Sequence, residues 1–304
     1  MTNIERILEL DQLERNIFRS AVAVSELKRT FGGQVAGQAL IAAVRTVDPR
    51  FQVHSLHGYF LRPGNPFAPT VFLVDRIRDG RSFCTRRVDG IQNGETIFTM
   101  SASFHTGDLG IHHQDQMPQV PPPDDLPDPV FPLDRGNVWL PKQWSSWDVR
   151  PVPSDRIDAV PGTAAHQRVW MRYRDELPAD PILHICTLAY LSDMNLLGVA
   201  KVPHPETPTQ EASLDHAMWF LRPFRADDWL LYDQTSPSAG NGRALTQGRI
   251  YTRSGEMVAA VIQEGLTRQP LVSRKLDRPA AADLSKPPVA ATASHTDIST
   301  RTNS

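Results

Sequence analysis

The pattern of apolar positions predicts two buried helices, one in each half of the chain. Residues 31–45, Phe-Gly-Gly-Gln-Val-Ala-Gly-Gln-Ala-Leu-Ile-Ala-Ala-Val-Arg, are small or apolar almost all round, and a helix of that kind is buried on most sides. Residues 183–195 have the same character, and this helix is expected to run on to Ala200. Short β-rich runs follow each helix and predict a meander of three or four antiparallel strands.

Two sequence motifs recur in the same order. The segments Ser55–Pro63 and Leu214–Pro223 both end in Phe-Leu-Arg-Pro, at a shift of 160 positions. Asn93-Gly-Glu returns as Ser254-Gly-Glu at a shift of 161, each time between two β-rich runs, which predicts a hairpin. Matched motifs at nearly one shift indicate two copies of one unit.

Each copy is therefore expected to contain a short strand, a buried helix and a strand meander. A sheet that wraps one buried helix is the hotdog arrangement, which belongs to the α+β class. The predicted domains are an N-terminal hotdog at 1–110, a proline-rich connection at 111–146, a C-terminal hotdog at 147–270 and a disordered tail at 271–304. The two sheets are expected to pair edge to edge, because unpaired edge strands need cover.

The connection is crowded with proline, which excludes a long helix or a central strand. Its large aromatic side chains would be costly to expose, so the connection is expected to lie against a domain surface. These side chains are Phe131, Trp139, Trp144 and Trp147. The tail from Pro279 onward has no aromatic residue and is expected to be disordered and dispensable.

Composition excludes several classes of function. The 304 residues are 40% hydrophobic and carry a net charge of −2, so a packed core is expected, and nucleic acid and membranes are not expected as partners. Cys84 and Cys186 lie far apart and are interpreted as free core thiols rather than a disulfide or a zinc site. The chain shows no signal-peptide pattern and no stretch approaching ~18 apolar residues, so a cytoplasmic protein without metal or other cofactor is predicted.

The motifs together resemble one family, the type II (TesB-like) acyl-CoA thioesterases, over residues from about 5 to 268. They are Phe31–Ala39, His54–Gly64, Asp79–Phe83 with Arg86–Val88, Leu214–Pro223 and Val261–Gly265. The resemblance implies a double hotdog, with two antiparallel sheets that each wrap a buried helix and pair into one pseudo-symmetric unit. It also implies hydrolysis of fatty acyl-CoA to free fatty acid and CoA without a metal or organic cofactor. A homodimer or homotetramer is expected.

The same resemblance implies that Asp193, Ser213 and Gln263 orient the attacking water. Ser213 departs from the threonine expected in many members; it keeps the hydroxyl but loses the methyl group that stiffens χ1. From the residues alone, Asp193 within an apolar helix is more often a cap or a solvated residue. Gln263 is more often a polar residue on the outer face of a strand. The resemblance favours the catalytic interpretation of all three.

The oxyanion donor and the CoA contacts remain open at this stage. Gly32-Gly33 could offer N–H groups at a helix start, or could serve close packing of the helix on a sheet. At a shift of 160, Gly33 aligns with Asp193, so one catalytic set per chain is expected. Histidines on the predicted strands are interpreted as core residues: His54, His57 and His216. Candidates for binding the CoA phosphates are Arg62, Arg81, Arg86, Arg87, Arg222 and Arg243.

The sequence disfavours three other classes of function. A serine hydrolase would need a Gly-x-Ser-x-Gly elbow, and the chain has none. A hotdog enoyl-CoA hydratase would need an Asp/His pair, and no histidine follows Asp193 at a short spacing. A non-catalytic acyl-CoA-binding protein would share the fold and pocket, but the complete Asp, Ser and Gln set disfavours it.

Overall fold

The computed structural model describes residues 3–22, 25–128, 133–135, 138–140, 144–156 and 162–270. The predicted tail at 271–304 and the side chains of Phe131 and Trp139 lie outside the described residues. Residues 1–270 form one compact unit. The domain boundaries at residues 110 and 146 therefore stay predictions.

The two halves contribute strands in matching order. The first half has helices α1 (Ile4–Leu8) and α2 (Gly32–Val44) and strands β1 (Leu10–Glu14), β2 (Ile17–Ser20), β3 (Gln52–Phe60), β4 (Val71–Asp79), β5 (Phe83–Gln92) and β6 (Glu95–His105). The connection holds a small hairpin of β7 (Leu133–Arg135) and β8 (Val138–Leu140). The second half has strands β9 (Trp147–Pro151), β10 (His166–Tyr173), β11 (Gln210–Ser213), β12 (Asp215–Phe220), β13 (Leu230–Gly240), β14 (Arg243–Thr252) and β15 (Met257–Arg268), with helix α3 (Pro181–Ser192) between β10 and β11.

Twelve of these strands follow one another in a single antiparallel sheet, in the order β1-β2-β4-β5-β6-β3-β12-β15-β14-β13-β10-β9, and β11 adds to β15. The halves meet where β3 pairs with β12, with His57 opposite Ala217 and Tyr59 opposite Asp215. Since the order on one side of this junction mirrors the order on the other, the two halves are related by a pseudo-two-fold axis. The edge-to-edge pairing expected from the repeat is confirmed.

Helices α2 and α3 pack directly on one another inside the sheet. Small residues make this approach possible: a Cβ atom at Gly33 would lie 2.1 Å from the carbonyl oxygen of Tyr190, and one at Gly37 would lie 3.1 Å from that of Cys186. The core is continuous across the halves and includes Leu40 and Leu188, both fully buried. The Gly33 contact is thus helix on helix, not the expected helix on sheet.

The predicted second helix is shorter than the sequence suggested. It ends at Ser192, and a separate 3-10 helix runs over Leu197–Lys201. The break follows from Asn195, which takes a positive φ of 63° and cannot continue a right-handed helix. The whole segment Pro181–Lys201 is long and apolar enough to cross a membrane by length and composition, contrary to the expectation of no such stretch. However, 61% of its 18-residue apolar window is buried inside the protein, as in a core helix.

The connection lies against the second half, as expected, in its described part. Trp170 donates from Nε1 to the carbonyl of Pro121, and Arg150 donates to that of Pro123. Trp144 donates from Nε1 to the hydroxyl of Tyr190 on α3. Both cysteines are free and buried, which confirms their interpretation as core thiols.

Candidate active site

Asp193 lies at the C-terminal end of α3, not inside the helix. It is the C-cap residue, with φ −80° and ψ −10°, and it keeps partial exposure to solvent. Its side chain therefore leaves the apolar helix and points toward the strands and toward α2. The sequence prediction placed the helix end too late, because the run of apolar residues continues beyond the break at Asn195.

The structure brings the three residues implied by the resemblance into mutual hydrogen bonding. Ser213, the last residue of β11, donates from Oγ to Asp193 Oδ1 at 3.1 Å. Gln263, on β15, donates from Nε2 to the same Oδ1 at 3.1 Å and to Ser213 Oγ at 2.6 Å. Gln263 is fully buried, so the interpretation as an outer-face residue is wrong. It points inward because it alternates with exposed Ile262 along β15.

The first half completes the environment of Asp193. The N–H of Gly33, in the first turn of α2, donates to Asp193 Oδ2 at 2.9 Å. N–H groups at a helix start have no partner within the helix and carry the positive end of its dipole, so they favour a carboxylate. A Cβ atom at Gly32 would lie 2.7 Å from Asp193 Oδ2. Glycine at position 32 therefore allows this oxygen to approach the helix more closely than any side chain would permit.

The alignment of Gly33 with Asp193 as equivalent positions is wrong. Gly33 is the second residue of α2, whereas Asp193 follows the last residue of α3. The shift of 160 holds for the strands but not for the helices, since the 3-10 segment after α3 lengthens the second half. By the helix ends, the counterpart of Asp193 is Arg45, the C-cap of α2. Gly33 and Asp193 are partners across the two halves.

Asp193 has one oxygen atom with remaining acceptor capacity. Oδ1 receives two hydrogen bonds, from Ser213 and Gln263, while Oδ2 receives one, from Gly33. A carboxylate oxygen has about two lone-pair sites, so Oδ2 can accept one more hydrogen bond. Gly32 approaches this oxygen closely and also lines the neighbouring cavity.

The pKa of Asp193 is raised above its ordinary value of 3.8, because burial disfavours the charged form. The nearby charge of His216 and the hydrogen bonds from Gln263, Ser213 and Gly33 act in the opposite direction. Such a carboxylate is a stronger base than a solvated aspartate when it is ionised. It can therefore take a proton from a bound water molecule.

His216 is a functional candidate that the sequence prediction treated as a core residue. It is fully buried on β12, and its Nδ1 lies 2.9 Å from Gln263 Oε1. Its Nε2 lies 2.8 Å from the hydroxyl of Ser192, the last residue of α3. The signal in the sequence was its phase: His216 alternates with inward-facing Met218 and Phe220, so a polar side chain at this position faces the interior.

A cavity of about 260 Å³ adjoins the site and lies between the halves. Gly32 and Ser213 line it next to Asp193, and Phe60 and Phe98 give it apolar walls. Arg62 also lines it; it donates to the carbonyl of Thr96 at 2.7 Å and pairs with Glu95 at 3.0 Å. Both halves contribute to the lining, which is the position expected for a shared pocket.

The pseudo-symmetric position in the second half is occupied differently. Arg222, the counterpart of Arg62, lines a separate groove together with residues 111–115 of the connection. Gln114 accepts from the N–H of Met257 and donates to the carbonyl of Gly255, so the connection is anchored there. Residues of the connection thus lie beside Arg222 in the second half, whereas the cavity lies beside Arg62 in the first half.

The remaining arginine candidates are placed away from the cavity. Arg86 is 1% exposed and is engaged by Asp79 and Thr46, so the expectation that it could bind a phosphate is wrong. Exposed carboxylates pair with Arg87 and Arg243, at Asp75 and Glu264. Of the six arginine candidates, Arg62 is the one that lines the cavity beside Asp193.

Comparison with known proteins identifies the family. A family model described as "Acyl-CoA thioesterase" matches residues 141–266, and one described as "Acyl-CoA thioesterase N-terminal domain" matches residues 24–105. Acyl-coenzyme A thioesterase 8 of Mus musculus is 37% identical over 289 residues, which cover 89% of this chain and 90% of that protein. The chain belongs to the acyl-CoA thioesterase family.

Two further relatives of this thioesterase chain support the same placement. Acyl-CoA thioesterase 2 of Haemophilus influenzae is 33% identical, over 88% of this chain and 98% of that protein. The crystal structure of an acyl-CoA thioesterase II from Mycobacterium marinum superposes with a TM-score of 0.81 at 61% identity, over 88% of this chain and 99% of that one. The resemblance to type II thioesterases and the double-hotdog fold inferred from the sequence are confirmed.

Proposed function

We propose that this thioesterase hydrolyses fatty acyl-CoA to free fatty acid and CoA, with Asp193, Ser213 and Gln263 as the catalytic residues. The observation that supports the proposal most is the remaining acceptor site of Asp193 Oδ2, which lies at the cavity beside Gly32. A water molecule at this site donates one hydrogen bond to Oδ2. Ser213 and Gln263 hold the carboxylate through Oδ1, which fixes the direction in which Oδ2 points.

The reaction then runs as an addition and an elimination. The water oxygen attacks the thioester carbonyl carbon while its proton passes to Asp193 Oδ2. The tetrahedral intermediate carries a negative oxygen, and the N–H of Gly32, in the first turn of α2, is the donor proposed for it. Collapse of the intermediate breaks the carbon–sulfur bond, and the departing CoA sulfur takes the proton from Asp193. The fatty acid is released and the carboxylate is restored.

The cavity lining supports the assignment of the substrate. Val35, Phe60 and Phe98 give the acyl chain an apolar surface, and Arg62 at the same cavity offers a guanidinium to the CoA phosphates. Among the described residues, no group of three or more His, Cys, Asp or Glu side chains could hold a metal ion. The proposed reaction needs none, because the carboxylate itself activates the water.

The test is the substitution Asp193→Asn, assayed with palmitoyl-CoA and a thiol-reactive dye that reports free CoA. Asparagine keeps the size of the side chain but removes the base, so kcat should fall by about 10²- to 10⁴-fold. Asp227→Asn is the matched control: Asp227 is also only partly exposed, but it accepts from the N–H of Leu177 and from Arg225, away from the cavity. The control should lose stability and keep its kcat. Wild-type turnover in Asp193→Asn would remove Asp193 from the mechanism.

The same variant separates the alternatives. An enoyl-CoA hydratase would hydrate a trans-2-enoyl-CoA without releasing CoA, and an acyl-CoA-binding protein would bind palmitoyl-CoA with no release in the wild type. His216 does come near Asp193, but through Gln263 rather than directly. A steady release of free CoA by the wild type, lost in Asp193→Asn, favours the thioesterase over both.

We further propose a cytoplasmic homodimer or homotetramer. The exposed outer face of the central strands supports self-association, because Tyr59 is 60% exposed there and Ile262 is 38% exposed. Light scattering on the full chain measures the assembly. A monomer at micromolar concentration would contradict the oligomer.

A further inference from the structure

Two buried residues, His216 and Ser192, lie on the side of the Gln263 amide that faces away from Asp193. His216 contacts the amide, and Ser192 contacts His216. We propose that His216 is a positioning residue, which with Ser192 fixes the orientation of the Gln263 amide toward Asp193 and Ser213. This inference rests on the proposed function of Gln263. It concerns residues that do not touch the attacking water and act through the amide alone.

The directions of the hydrogen bonds follow from the chemistry of the groups. An ionised Asp193 only accepts, so the end of Gln263 that faces it is the amide nitrogen. Oε1 of Gln263 then faces His216 Nδ1 at 2.9 Å, and this nitrogen must carry the hydrogen. On the other side of the ring, Nε2 meets Ser192 Oγ at 2.8 Å, a hydroxyl that can donate or accept.

A glutamine amide needs such a partner to have one orientation. The terminal torsion of glutamine is broad and roughly two-fold, and its oxygen and nitrogen ends are similar in size. A flipped amide would turn Oε1 against the carboxylate of Asp193 and remove both donors from the site. The Nδ1–H of His216 can donate only to the amide in its productive orientation, because a flipped amide would place its NH₂ donor against the donor Nδ1–H.

The first half of the chain provides an internal control for this interpretation. Under the strand shift, His216 corresponds to Leu56. Leu56 pairs with Ala102 across β3 and β6, while His216 contacts Gln263 from the neighbouring strands β12 and β15, next to the pair Ala217 and Ile262. Both first-half residues are apolar and buried. Ser192 corresponds, by the helix ends, to Val44. The same architecture therefore forms without any polar side chain at these places.

Buried polar side chains are costly unless they are satisfied. The second half buries all three of Ser192, His216 and Gln263 completely. Since Leu56 and Ala102 meet the needs of the fold at the corresponding positions, the polar chain serves the site rather than the sheet. It ends at Asp193, the residue with the free acceptor position.

The test compares two substitutions that keep different halves of the imidazole. His216→Asn places an amide near Nδ1 and can still donate to Gln263, whereas His216→Gln places its amide near Nε2 and cannot. In the full-length enzyme with palmitoyl-CoA, we expect His216→Asn to keep kcat within about threefold of wild type and His216→Gln to lower it about 10- to 100-fold. KM should change little in either variant.

The control and the double-mutant cycle make the test specific. His184→Gln alters another buried histidine, which accepts from the N–H of Ala226 and lies outside the site; it should lower Tm and leave kcat unchanged. Gln263→Ala should lower kcat. Adding His216→Gln to it should cause no further loss, because the amide that His216 positions is already absent. Ser192→Ala, a substitution with little risk to folding, should lower kcat about three- to tenfold.

Equal kcat in His216→Asn and His216→Gln, additive losses in the cycle, or wild-type kcat in Ser192→Ala would overturn the positioning role. Failure of the proposed function has a different signature. Gln263→Ala at wild-type turnover would contradict the role of Gln263 itself, while an impaired Gln263→Ala beside a fully active His216→Gln would contradict only the inference about His216.

Discussion

Gly32→Ala tests the space beside Asp193 with a single methyl group. The added Cβ would lie 2.7 Å from Asp193 Oδ2 and 2.9 Å from the ring of Phe60. Ordinary contacts begin near about 3.5 Å, so the carboxylate must move by about 0.8 Å or the methyl must occupy the place of the water. A displacement of that size at a reacting group costs about 10- to 100-fold in kcat.

The stability of the same variant should change little. Phe60 and Asp193 meet the methyl with side-chain atoms, which can shift, and alanine in a helix is favoured over glycine by about 1 kcal/mol. These terms oppose one another, so Tm is expected to stay within about 4 °C of wild type. The expected result is a folded enzyme with a damaged site, measured by thermal unfolding and by CoA release on one preparation.

Neighbouring glycines of α2 give the matched comparisons. Gly33→Ala would set its Cβ 2.1 Å from the carbonyl of Tyr190, a backbone atom that cannot yield without separating the helices. This variant should lose activity, and its free energy of unfolding should fall by about 1–3 kcal/mol. Gly37→Ala meets Leu8 at 3.0 Å and the carbonyl of Cys186 at 3.1 Å, away from Asp193, and should lower Tm without lowering kcat.

Two results would refute the reasoning. If Gly32→Ala kept wild-type kcat with an unchanged Tm, the space beside Oδ2 would not be where the water binds. If Gly37→Ala lost as much kcat as Gly32→Ala, the effect would come from the helix as a whole and not from the contact with Asp193.

Three other predictions follow from the site and the sheet. The value of kcat/KM should fall toward acid pH with an apparent pKa above 3.8, because the base must be ionised and burial raises the pKa of Asp193; the same acid limb in the residual activity of Asp193→Asn would contradict this. EDTA should leave activity unchanged, and a loss that a divalent ion restores would overturn the metal-free reaction. Residues 1–115 and 145–304 expressed separately should each aggregate or self-pair and should not hydrolyse acyl-CoA, since loss of the pairing between β3 and β12 would leave their edges exposed; a soluble, fully active C-terminal half would refute the shared pocket.

The repeat could be predicted from sequence because its signals are local. The Asn93-Gly94 turn takes φ values of 50° and 77°, which a tight hairpin between two antiparallel strands requires. The Phe-Leu-Arg-Pro segments fall at the junction strands, and apolar periodicity located both core helices. Each of these features is encoded within a few neighbouring residues.

The parts that could not be predicted depend on contacts between distant residues. Nothing in the local sequence shows that the N–H of Gly33 meets a carboxylate from the other half, or that the helix ends at Ser192 rather than Asn195. Gln263 looked exposed because strand alternation fixes two faces without saying which is buried. The sequence indicates that His216 is a core residue, which its full burial bears out, but it does not show the contact with the site, since Ser192 and Gln263 come from a helix and from another strand.

The dependence of the site on both halves has a physical reason. A buried carboxylate is stable only when hydrogen-bond donors surround it. Asp193 receives two from its own half, through Ser213 and Gln263, and a third from Gly33 at the positive end of α2. That third donor reaches Asp193 only when α2 packs on α3, and this packing needs the joined sheet. The carboxylate of Asp193 thus has all three of its hydrogen-bond donors only when the two halves are joined. The contacts that join the halves therefore also position the base that activates the water.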